Sequence, residues 1–334
     1  MKFITSKDIS LKSWNDFILV NPYSSPFQTH AFCNFYNSIN QNSCQVFAVE
    51  NGDQQLDALA VVTLQKERGI KSYFSHRGII YGGPLFKSDK VEALIKLMEG
   101  VESYLKKDTI YLEIRNLFNF NDQKPLFSEL GWKYIPYCNY FLNISTNSLD
   151  NLLSKMDYNR RREIKLSLKE GAIFGECQHE QEVKEIYHIL AELYHSRVKL
   201  PLPSFKFFQE FYRSGIGKVF YVKHNGKIIG GSVCPVLPGR AIYTMYYCGL
   251  RNYHKKIYPT HLAVLAAIYY AINNSIPVLD FMGAGKMGEE YGVRKYKKEF
   301  GGQLVEYGRF LKITKPMLYH IGKAGLKITS KVRK

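Results

Sequence analysis

The stretch VFYVKHNGKIIGGSV, residues 219–233, consists of two apolar runs on either side of Asn225-Gly226. The stretch QVFAVENGDQQLDALAVVTL, residues 45–64, repeats this arrangement around Asn51-Gly52. An Asn-Gly dipeptide between two runs of β-branched and aromatic residues is a strong β-hairpin signal, because both residues tolerate the positive φ of a tight turn. Each half of the chain is therefore predicted to contain one such hairpin.

The same order of further elements follows each hairpin. Each half continues with another strand, a long helix (Val91 to Lys106, and Thr260 to Asn273), a short β-rich run and a helix that ends in a glycine turn. The two Asn-Gly turns lie 174 residues apart, and the closing glycines, Gly131 and Gly301, lie 170 residues apart. This nearly constant offset indicates an internal duplication. The order of elements predicts a GNAT unit used twice, an α/β (α+β) fold of two tandem domains with mixed, largely antiparallel sheets.

The length of the chain, 334 residues, also exceeds the usual size of one domain. The run from Asn143 to Asp150 is polar and rich in Ser, Thr and Asn, as expected of a linker. We therefore predict an N-terminal GNAT-like domain at residues 1–145 and a C-terminal one at residues 146–313. The remaining residues, 314–334, form a tail that a GNAT unit does not need.

This tail has the pattern of a basic amphipathic helix. Its apolar residues recur at helical spacing, at Ile321, Ala324, Ile328 and Val332. Lysines follow every fourth position on another face, at Lys323, Lys327 and Lys331. Such a helix either lies on an anionic membrane surface or packs against the second domain.

The chain as a whole is strongly basic, with a formal net charge of +17. This excess favours a polyanionic partner, such as tRNA, a nucleotide-linked substrate or an anionic membrane surface, over simple solubility in a basic proteome. The six cysteines lie far apart without a CxxC pair, which argues against a disulfide scaffold or a zinc site. The first residues lack the apolar core of a signal peptide, and no apolar run reaches the roughly 18 residues of a membrane helix. We expect a cytoplasmic protein, peripheral at the inner face of the membrane if the tail binds lipid.

Three further segments carry a resemblance to a known family. NRRREIKLSLKEG (159–171) and PVLDFMGAGKMGEEYGVRKYKKEFGG (277–302) resemble the second domain of FemAB/FemX peptidyltransferases and of the related BioF2-like acetyltransferases, and YGGP (81–84) is similar to the signature of their first domain. The most specific part is 291–302. The resemblance implies an N-acyltransferase that moves an aminoacyl group from aminoacyl-tRNA to the amine of a cell-wall precursor. The BioF2-like relatives are presumed to use acyl thioesters.

The sequence departs from the family pattern at two places. Near the N-terminus, QTHAFCNFY has Tyr36 where the family often has a lysine that meets substrate phosphates, and this departure weakens the case for a nucleotide-linked acceptor. The family's Phe-Lys pair before the terminal glycines is Tyr296-Lys297 here. The substrate-binding residues implied by the matches and by nearby positive charge are Tyr36, Tyr81, Gly82, Gly83, Tyr291, Arg294, Lys255 and Lys256.

Acyl transfer to an amine passes through a tetrahedral intermediate, so the site needs cationic or N–H donors where the oxyanion forms. The resemblance places Lys297 beside the reacting carbonyl, next to Tyr296, whereas the residues alone also allow a solvated helix face. Asp280 ends an apolar strand, where it would position an amine or a ribose hydroxyl, or cap the following loop. The catalytic residues predicted are thus Lys297, Asp280 and Tyr296.

The identity of the acyl donor depends on the segment before each long helix. Neither RNYHKKIYPTH (251–261) nor GGPLFKSDK (82–90) fits the glycine-rich loop with which GNAT enzymes bind the pyrophosphate of CoA, although Lys255 and Lys256 could contact phosphate as point charges. This favours aminoacyl-tRNA as a co-substrate and predicts no bound cofactor. The spacing of the histidines predicts no metal site. An acyl-CoA-dependent N-acyltransferase is the alternative, and a non-catalytic binder of nucleic acid or membrane is the second.

A last basic feature lies outside the catalytic prediction. Arg161, Lys165 and Lys169 repeat every fourth residue and place one basic stripe on a predicted helix. The stripe is either a phosphate contact or an ordinary solvated surface.

Overall fold

The computed structural model describes residues 1–39, 43–66, 73–144, 148–288 and 292–332. The chain forms two compact units. Unit 1 comprises Met1–Tyr137 and Tyr307–Lys334, and unit 2 comprises Cys138–Glu306.

Unit 1 contains a mixed sheet. Its strands are β1 (Lys2–Thr5), β2 (Cys44–Glu50), β3 (Leu56–Gln65), β4 (Arg77–Gly82), β5 (Leu85–Phe86), β6 (Tyr111–Asn116), β7 (Lys133–Ile135) and, after the excursion into unit 2, β16 (Arg309–Ile313). The order is β1-β2-β3-β4-β6-β16-β7, with β5 paired to β3. The β4–β6 pair is parallel, whereas the other pairs are antiparallel.

The helices of unit 1 cover this sheet. They are α1 (Leu11–Val20), α2 (His30–Ile39), α3 (Val91–Leu105), α4 (Lys124–Glu129) and α11 (Pro316–Val332), with 3₁₀ turns at Pro26–Gln28 and Asn121–Gln123. The long helix α3 buries Leu94, Leu97 and Val101 in the apolar core of the unit, together with Ile80 of β4 and Ile114 of β6. These side chains repeat every three or four residues, which is the period that the sequence predicts for a helix on a sheet.

Unit 2 contains a second mixed sheet. Its strands are β8 (Cys138–Asn143), β9 (Ile173–Glu176), β10 (Gly217–His224), β11 (Lys227–Leu237), β12 (Ala241–Tyr243), β13 (Tyr246–Gly249), β14 (Val278–Gly283) and β15 (Gln303–Glu306). The order is β15-β8-β14-β12-β11-β10-β9, with β13 paired to β11. The β12–β14 pair is parallel, in the position that β4–β6 has in unit 1.

The helices of unit 2 are α5 (Leu149–Lys155), α6 (Tyr158–Lys169), α7 (Glu180–Leu193), α8 (Phe205–Ser214), α9 (Pro259–Asn273) and α10 (Gly292–Lys298), with a π-helical turn at Tyr194–Val198. The long helix α9 is the counterpart of α3 and is buried over most of its surface, because it consists largely of Leu, Ile, Val and Ala. The short helix α10 follows β14 and carries the segment 292–298.

The predicted hairpins occupy equivalent positions, which confirms the duplication. The turn at Asn225-Gly226 joins β10 to β11, and both residues have positive φ, 49° and 76°. The turn that begins at Asn51 joins β2 to β3, and the Asn51 side chain accepts backbone N–H groups from Asp53 and Gln55. The predicted fold class, two tandem α/β domains with mixed, largely antiparallel sheets, is also confirmed.

The observed units do not follow the predicted domain boundaries of 1–145 and 146–313. Strand β8 lies in the sheet of unit 2, between β14 and β15, and β16 lies in the sheet of unit 1, between β6 and β7. Phe310 of β16 stacks on Phe127 in the core of unit 1, with ring centroids 4.3 Å apart. The apolar pattern of a strand fixes its type but not the sheet that it joins, so the exchange could not be predicted from periodicity. The predicted boundary at 145/146 itself lies outside the described residues.

The predicted tail, 314–334, contains the helix α11. Tyr319 packs edge-on against Tyr111 of unit 1, with ring centroids 5.5 Å apart, and the Thr314 hydroxyl donates to the carbonyl of Thr109. Met317 and Ile321 are exposed. In the ranges that the structure describes, no helix combines the length and the apolar character needed to cross a bilayer.

Candidate functional site

The predicted catalytic residue Asp280 lies where strand β14 leaves the sheet. The pairing of β14 with β8 shifts register between Asp280 and Gly283, and Met282 adopts a positive φ of 60°. The Asp280 side chain stabilises this irregular backbone, because its Oδ1 accepts the N–H of Met282 at 2.5 Å. Asp280 is only 4% exposed, and this burial raises the pKa of its carboxyl group to about 7. The interpretation of Asp280 as a cap for the following loop agrees with this geometry.

Lys297 reaches the same irregular backbone from helix α10. Its ammonium group donates to the carbonyls of Phe281 at 2.5 Å and Gly283 at 2.7 Å, and lies 3.4 Å from that of Met282. The residue is 4% exposed. Burial lowers the pKa of the ammonium group, and the negative charge of Asp280 partly offsets this effect, so that the pKa is about 8.

This arrangement excludes the solvated-face interpretation for Lys297, although Lys295 and Lys298 of the same helix are exposed. The two short bonds satisfy two of the three ammonium protons. The third contact is longer than the usual 2.7–3.2 Å range for N–H···O bonds. One N–H of Lys297 therefore has a weaker acceptor than the other two.

Arg294 binds the loop that follows β14. Its Nε donates to the carbonyl of Ala284 at 3.0 Å, and its Nη2 contacts the carbonyl of Lys286. Arg294 and Lys297 thus hold consecutive stretches of the same loop against α10. The predicted substrate-binding residue Tyr291 lies outside the described residues.

Tyr296 lies on a different side of α10 from Lys297. Its hydroxyl donates to the carbonyl of Thr260 at 3.1 Å, at the start of α9. Its ring stacks against Tyr247 and lies under the Arg160 guanidinium, with 4.3 Å from Arg160 Cζ to the ring centroid. Burial raises the pKa of the Tyr296 hydroxyl. The structure therefore separates Tyr296 from Lys297 and Asp280 and directs its hydroxyl towards α9.

A buried polar cluster around Arg160 connects α6, α9 and α10. Arg160 is 3% exposed and forms an ion pair with Glu299. Its Nη1 also lies within hydrogen-bond distance of both ring nitrogens of His261, and Nε2 of that ring lies 3.0 Å from Glu163 Oε2. Burial and the charge of Arg160 lower the pKa of His261 to about 3, so this ring is neutral.

Sequence reasoning missed this cluster. Arg160 lies 101 residues from His261 and 139 from Glu299, so neither local spacing nor a motif connects them. The available signal was the position of Arg160 among the apolar positions of α6, where Ile164 and Ser167 are also buried.

Lys255 and Lys256 lie in the loop between β13 and α9. Both are exposed, and Lys256 forms an ion pair with Glu170 at 3.0 Å. The first turn of α9 offers few free amide groups, because Pro259 has no N–H and the N–H groups of His261 and Leu262 donate to the carbonyl of Tyr258. This helix start is poorly suited to cradling a pyrophosphate.

In unit 1 the structure brings Tyr36 and Tyr81 together. Gln65 of β3 donates to both hydroxyls, at 3.0 Å and 3.3 Å respectively. Arg115 of β6 also donates to the Tyr81 hydroxyl, at 3.3 Å. Burial and the neighbouring Tyr81 raise the pKa of Tyr36.

Three arginines extend this polar cluster along the same face of the sheet. Arg77 donates to Gln65 at 3.2 Å, and Arg115 and Arg309 bind the two oxygens of Glu113 at 2.9 Å and 2.8 Å. Burial raises the pKa of Glu113, but the charges of Arg115 and Arg309 outweigh it and hold that pKa below its usual value. Three cations with one carboxylate leave an excess of positive charge, which suits an anionic ligand. The signal in the sequence was the alternation of polar and apolar residues in β4 and β6.

Gly82 and Gly83 have a steric role. Both have positive φ, 80° and 83°, and a Cβ atom would lie 2.3 Å from Gln28 Nε2 at Gly82 and 2.9 Å from the Phe120 ring at Gly83. Gln28 also donates to the Gly83 carbonyl at 3.2 Å. These glycines let the chain turn tightly after Tyr81. Their predicted contact with substrate remains a prediction, as do the roles of the other predicted site residues.

The described residues contain no group of three or more His, Cys, Asp or Glu side chains that could hold a metal ion.

Comparison with known proteins gives a family match over the segment that carries Asp280 and Lys297. Residues 229–325 match the model of the FemAB family, which confirms the resemblance. The chain is similar to FemX (16% identity, 96% of this chain and 99% of that chain covered, TM-score 0.76). It is also similar to L-PGS from Bacillus licheniformis, with 12% identity, 94% of this chain and 96% of that chain covered, and a TM-score of 0.59. A third similar structure is a tandem GNAT protein from the clavulanic acid biosynthesis pathway, with 10% identity, 94% of this chain and 98% of that chain covered, and a TM-score of 0.55. The search of curated proteins gave no match. The fold is a tandem GNAT fold, and the family match indicates an acyl- or aminoacyltransferase.

Proposed function

We propose that this protein transfers an aminoacyl group from aminoacyl-tRNA to an amine of a cell-wall precursor or a related acceptor. The observation that carries the proposal is the buried ammonium group of Lys297, held at the end of β14 inside the segment that matches the FemAB family. The donor is a co-substrate, so the reaction requires no resident cofactor.

In the proposed reaction, the acceptor amine attacks the ester carbonyl of the donor, and negative charge develops on the carbonyl oxygen. Lys297 donates its weakly held N–H to that oxygen, which stabilises the tetrahedral intermediate. A pKa of about 8 keeps the ammonium group mostly protonated at neutral pH. The intermediate then collapses, and the ribose hydroxyl of the tRNA leaves.

Asp280 is proposed to receive the proton that the amine loses and to pass it to the departing ribose oxygen, which leaves as a hydroxyl. A general base works best when its pKa is near the working pH, and that of Asp280 is about 7. Tyr296 is proposed to act by position, because its hydroxyl bonds to Thr260 and fixes the orientation of α10.

Two features favour charged tRNA over acyl-CoA as the donor. The first turn of α9 lacks the run of free amide groups that a pyrophosphate needs. The net charge of +17 favours a polyanionic partner. The arginine-rich face of unit 1 around Tyr36 and Tyr81 is proposed to bind an anionic group, such as the phosphate of a nucleotide-linked or lipid-linked compound.

The test is an assay of purified protein with charged tRNAs and with a panel of acyl-CoAs, each offered with amine acceptors and read by mass spectrometry of the amide product. We expect product from charged tRNA alone. Product from acyl-CoA alone would establish the alternative donor, and binding without product from either would point to a non-catalytic binder.

A further inference from the structure

Helix α6 presents a cationic surface that the proposed chemistry does not use. Arg160, Ile164 and Ser167 anchor one face of the helix in unit 2, where each is at most 3% exposed. The opposite face lines a shallow groove of about 380 Å³. We call it the α6 groove, and its lining residues are Tyr158, Arg161, Arg162, Lys165, Leu166 and Lys169.

In the part of the chain that the structure describes, the cations of the α6 groove make no close ion pair, although Arg162 and Lys169 interact at longer range with Glu163 and Glu170. The acidic residues of this helix and its C-cap are engaged elsewhere, since Glu163 contacts His261 and Glu170 pairs with Lys256. Throughout the described ranges, no carboxylate lies within ion-pair distance of Arg162, Lys165 or Lys169. Four positive charges therefore face solvent along about 12 Å of helix, from the rise of about 1.5 Å per residue.

The groove also contains an exposed aromatic ring. Tyr158 is 65% exposed at the first position of α6. Cations that contact phosphates, together with an aromatic face on which a base or ribose can pack, are the two elements of non-specific RNA surfaces. A lipid surface would instead call for several apolar side chains beside the cations.

The groove is joined to the candidate active site by direct contacts. The backbone N–H of Asp157, which caps α6, donates to the Glu299 carbonyl at 3.0 Å, immediately after α10. Arg160 of α6 pairs with the Glu299 side chain. The helix that carries Lys297 therefore ends against the start of α6.

We propose that the α6 groove is the docking surface for the phosphate backbone of the RNA donor. The proposal rests on the proposed function, because it assigns a place to the tRNA co-substrate. Arg161, Arg162, Lys165 and Lys169 bind phosphates as charges without reading sequence, and Tyr158 packs against an unpaired base or a ribose.

The experiment measures binding of a fluorescein-labelled, uncharged tRNA transcript to the full chain by anisotropy over a series of salt concentrations. The test variant is Lys165→Glu/Lys169→Glu. The matched control is Lys184→Glu/Lys206→Glu, which makes the same charge change at exposed positions of α7 and α8. We expect the test variant to raise Kd at least 10-fold and to reduce the slope of log K against log salt by roughly 1 to 2. The control is expected to stay within about 3-fold of the wild type.

Three results would overturn the docking proposal. The wild type does not bind the transcript, or both variants weaken binding equally. In the third, the test variant keeps RNA binding but loses binding to phosphatidylglycerol vesicles, which would make the groove a membrane contact. Failure of the proposed function is a separate result. If the wild type binds the transcript through the groove but forms no amide from charged tRNA, the docking surface stands and the transfer reaction does not.

Discussion

Replacing Lys297 with methionine is the sharpest test of the candidate site. Methionine keeps most of the length and volume of the side chain but removes the ammonium group, so it creates a smaller cavity than alanine would. The change leaves the carbonyls of Phe281 and Gly283 without their donor.

The expected effect on stability is small because two contributions oppose each other. Each buried carbonyl left unpaired costs about 1–3 kcal/mol, so two cost about 2–6 kcal/mol. The native state, however, holds the Lys297 proton with a pKa of about 8 instead of 10.5, a penalty of about 3 kcal/mol at pH 7 that the variant no longer carries. The net change lies between about 1 kcal/mol of stabilisation and about 3 kcal/mol of destabilisation, and the variant folds.

The pH dependence of stability distinguishes a lowered pKa at Lys297 from a purely steric effect of the substitution. Between pH 8 and 10.5 the unfolded chain binds a proton that native Lys297 has lost, so the stability of the wild type relative to the variant rises with pH across this window. Urea denaturation of both proteins at several pH values measures the difference. A difference that is flat or falls with pH would contradict a depressed pKa at Lys297.

Turnover of Lys297→Met is expected to fall by roughly 100- to 1000-fold, the usual loss on removing one oxyanion donor. Lys295→Met is the matched control, since it removes the same charge from an exposed position of the same helix. Initial rates with saturating donor and acceptor measure the effect. If both folded variants keep wild-type turnover, Lys297 only fixes the loop after β14, and the proposed oxyanion role is wrong.

Three further outcomes are expected. Replacing Asp280 with Asn should lower turnover, because it removes the proposed base, and should move the alkaline limb of the residual pH–rate profile to lower pH, because the carboxylate charge raises the pKa of Lys297; an unmoved limb refutes that coupling. Arg160→Met should lower the free energy of unfolding by about 3 kcal/mol in urea denaturation. Arg162→Met on the same helix is its control and should stay within about 0.5 kcal/mol of wild type, so equal losses would argue against a buried ion pair. A chain shortened to end at Ile313 should lose salt-sensitive co-sedimentation with acidic vesicles, and equal binding by both chains removes the tail from membrane contact.

The sequence contained enough information for the type and order of the elements. The Asn225-Gly226 turn and the apolar periodicity of the long helices are local patterns that the backbone follows, whereas the turn at Asn51 is longer and has its positive φ at Gln54. The placement of β8 and β16 depends instead on tertiary pairing, and the apolar pattern of a strand does not encode which sheet it joins.

In the candidate site, too, local sequence patterns could not determine the tertiary arrangement. The resemblance indicated Lys297, but charge alone could not separate this buried lysine from Lys295 and Lys298, which are two and one residues away and exposed. Burial is decided by the orientation of α10, and that orientation depends on residues far away in the sequence.

Helix α10 explains why distant residues matter for this chemistry. It has seven residues, and a helix of that length is not stable in water on its own. Contacts on two sides hold it. Lys297 binds the end of β14 on one side, while Tyr296 contacts α9 and lies under Arg160 on the other. Because the same short helix makes both sets of contacts, a loosened Arg160 cluster would let Lys297 shift relative to the reacting carbonyl. We therefore expect Arg160 to act as a positioning residue for the proposed oxyanion donor.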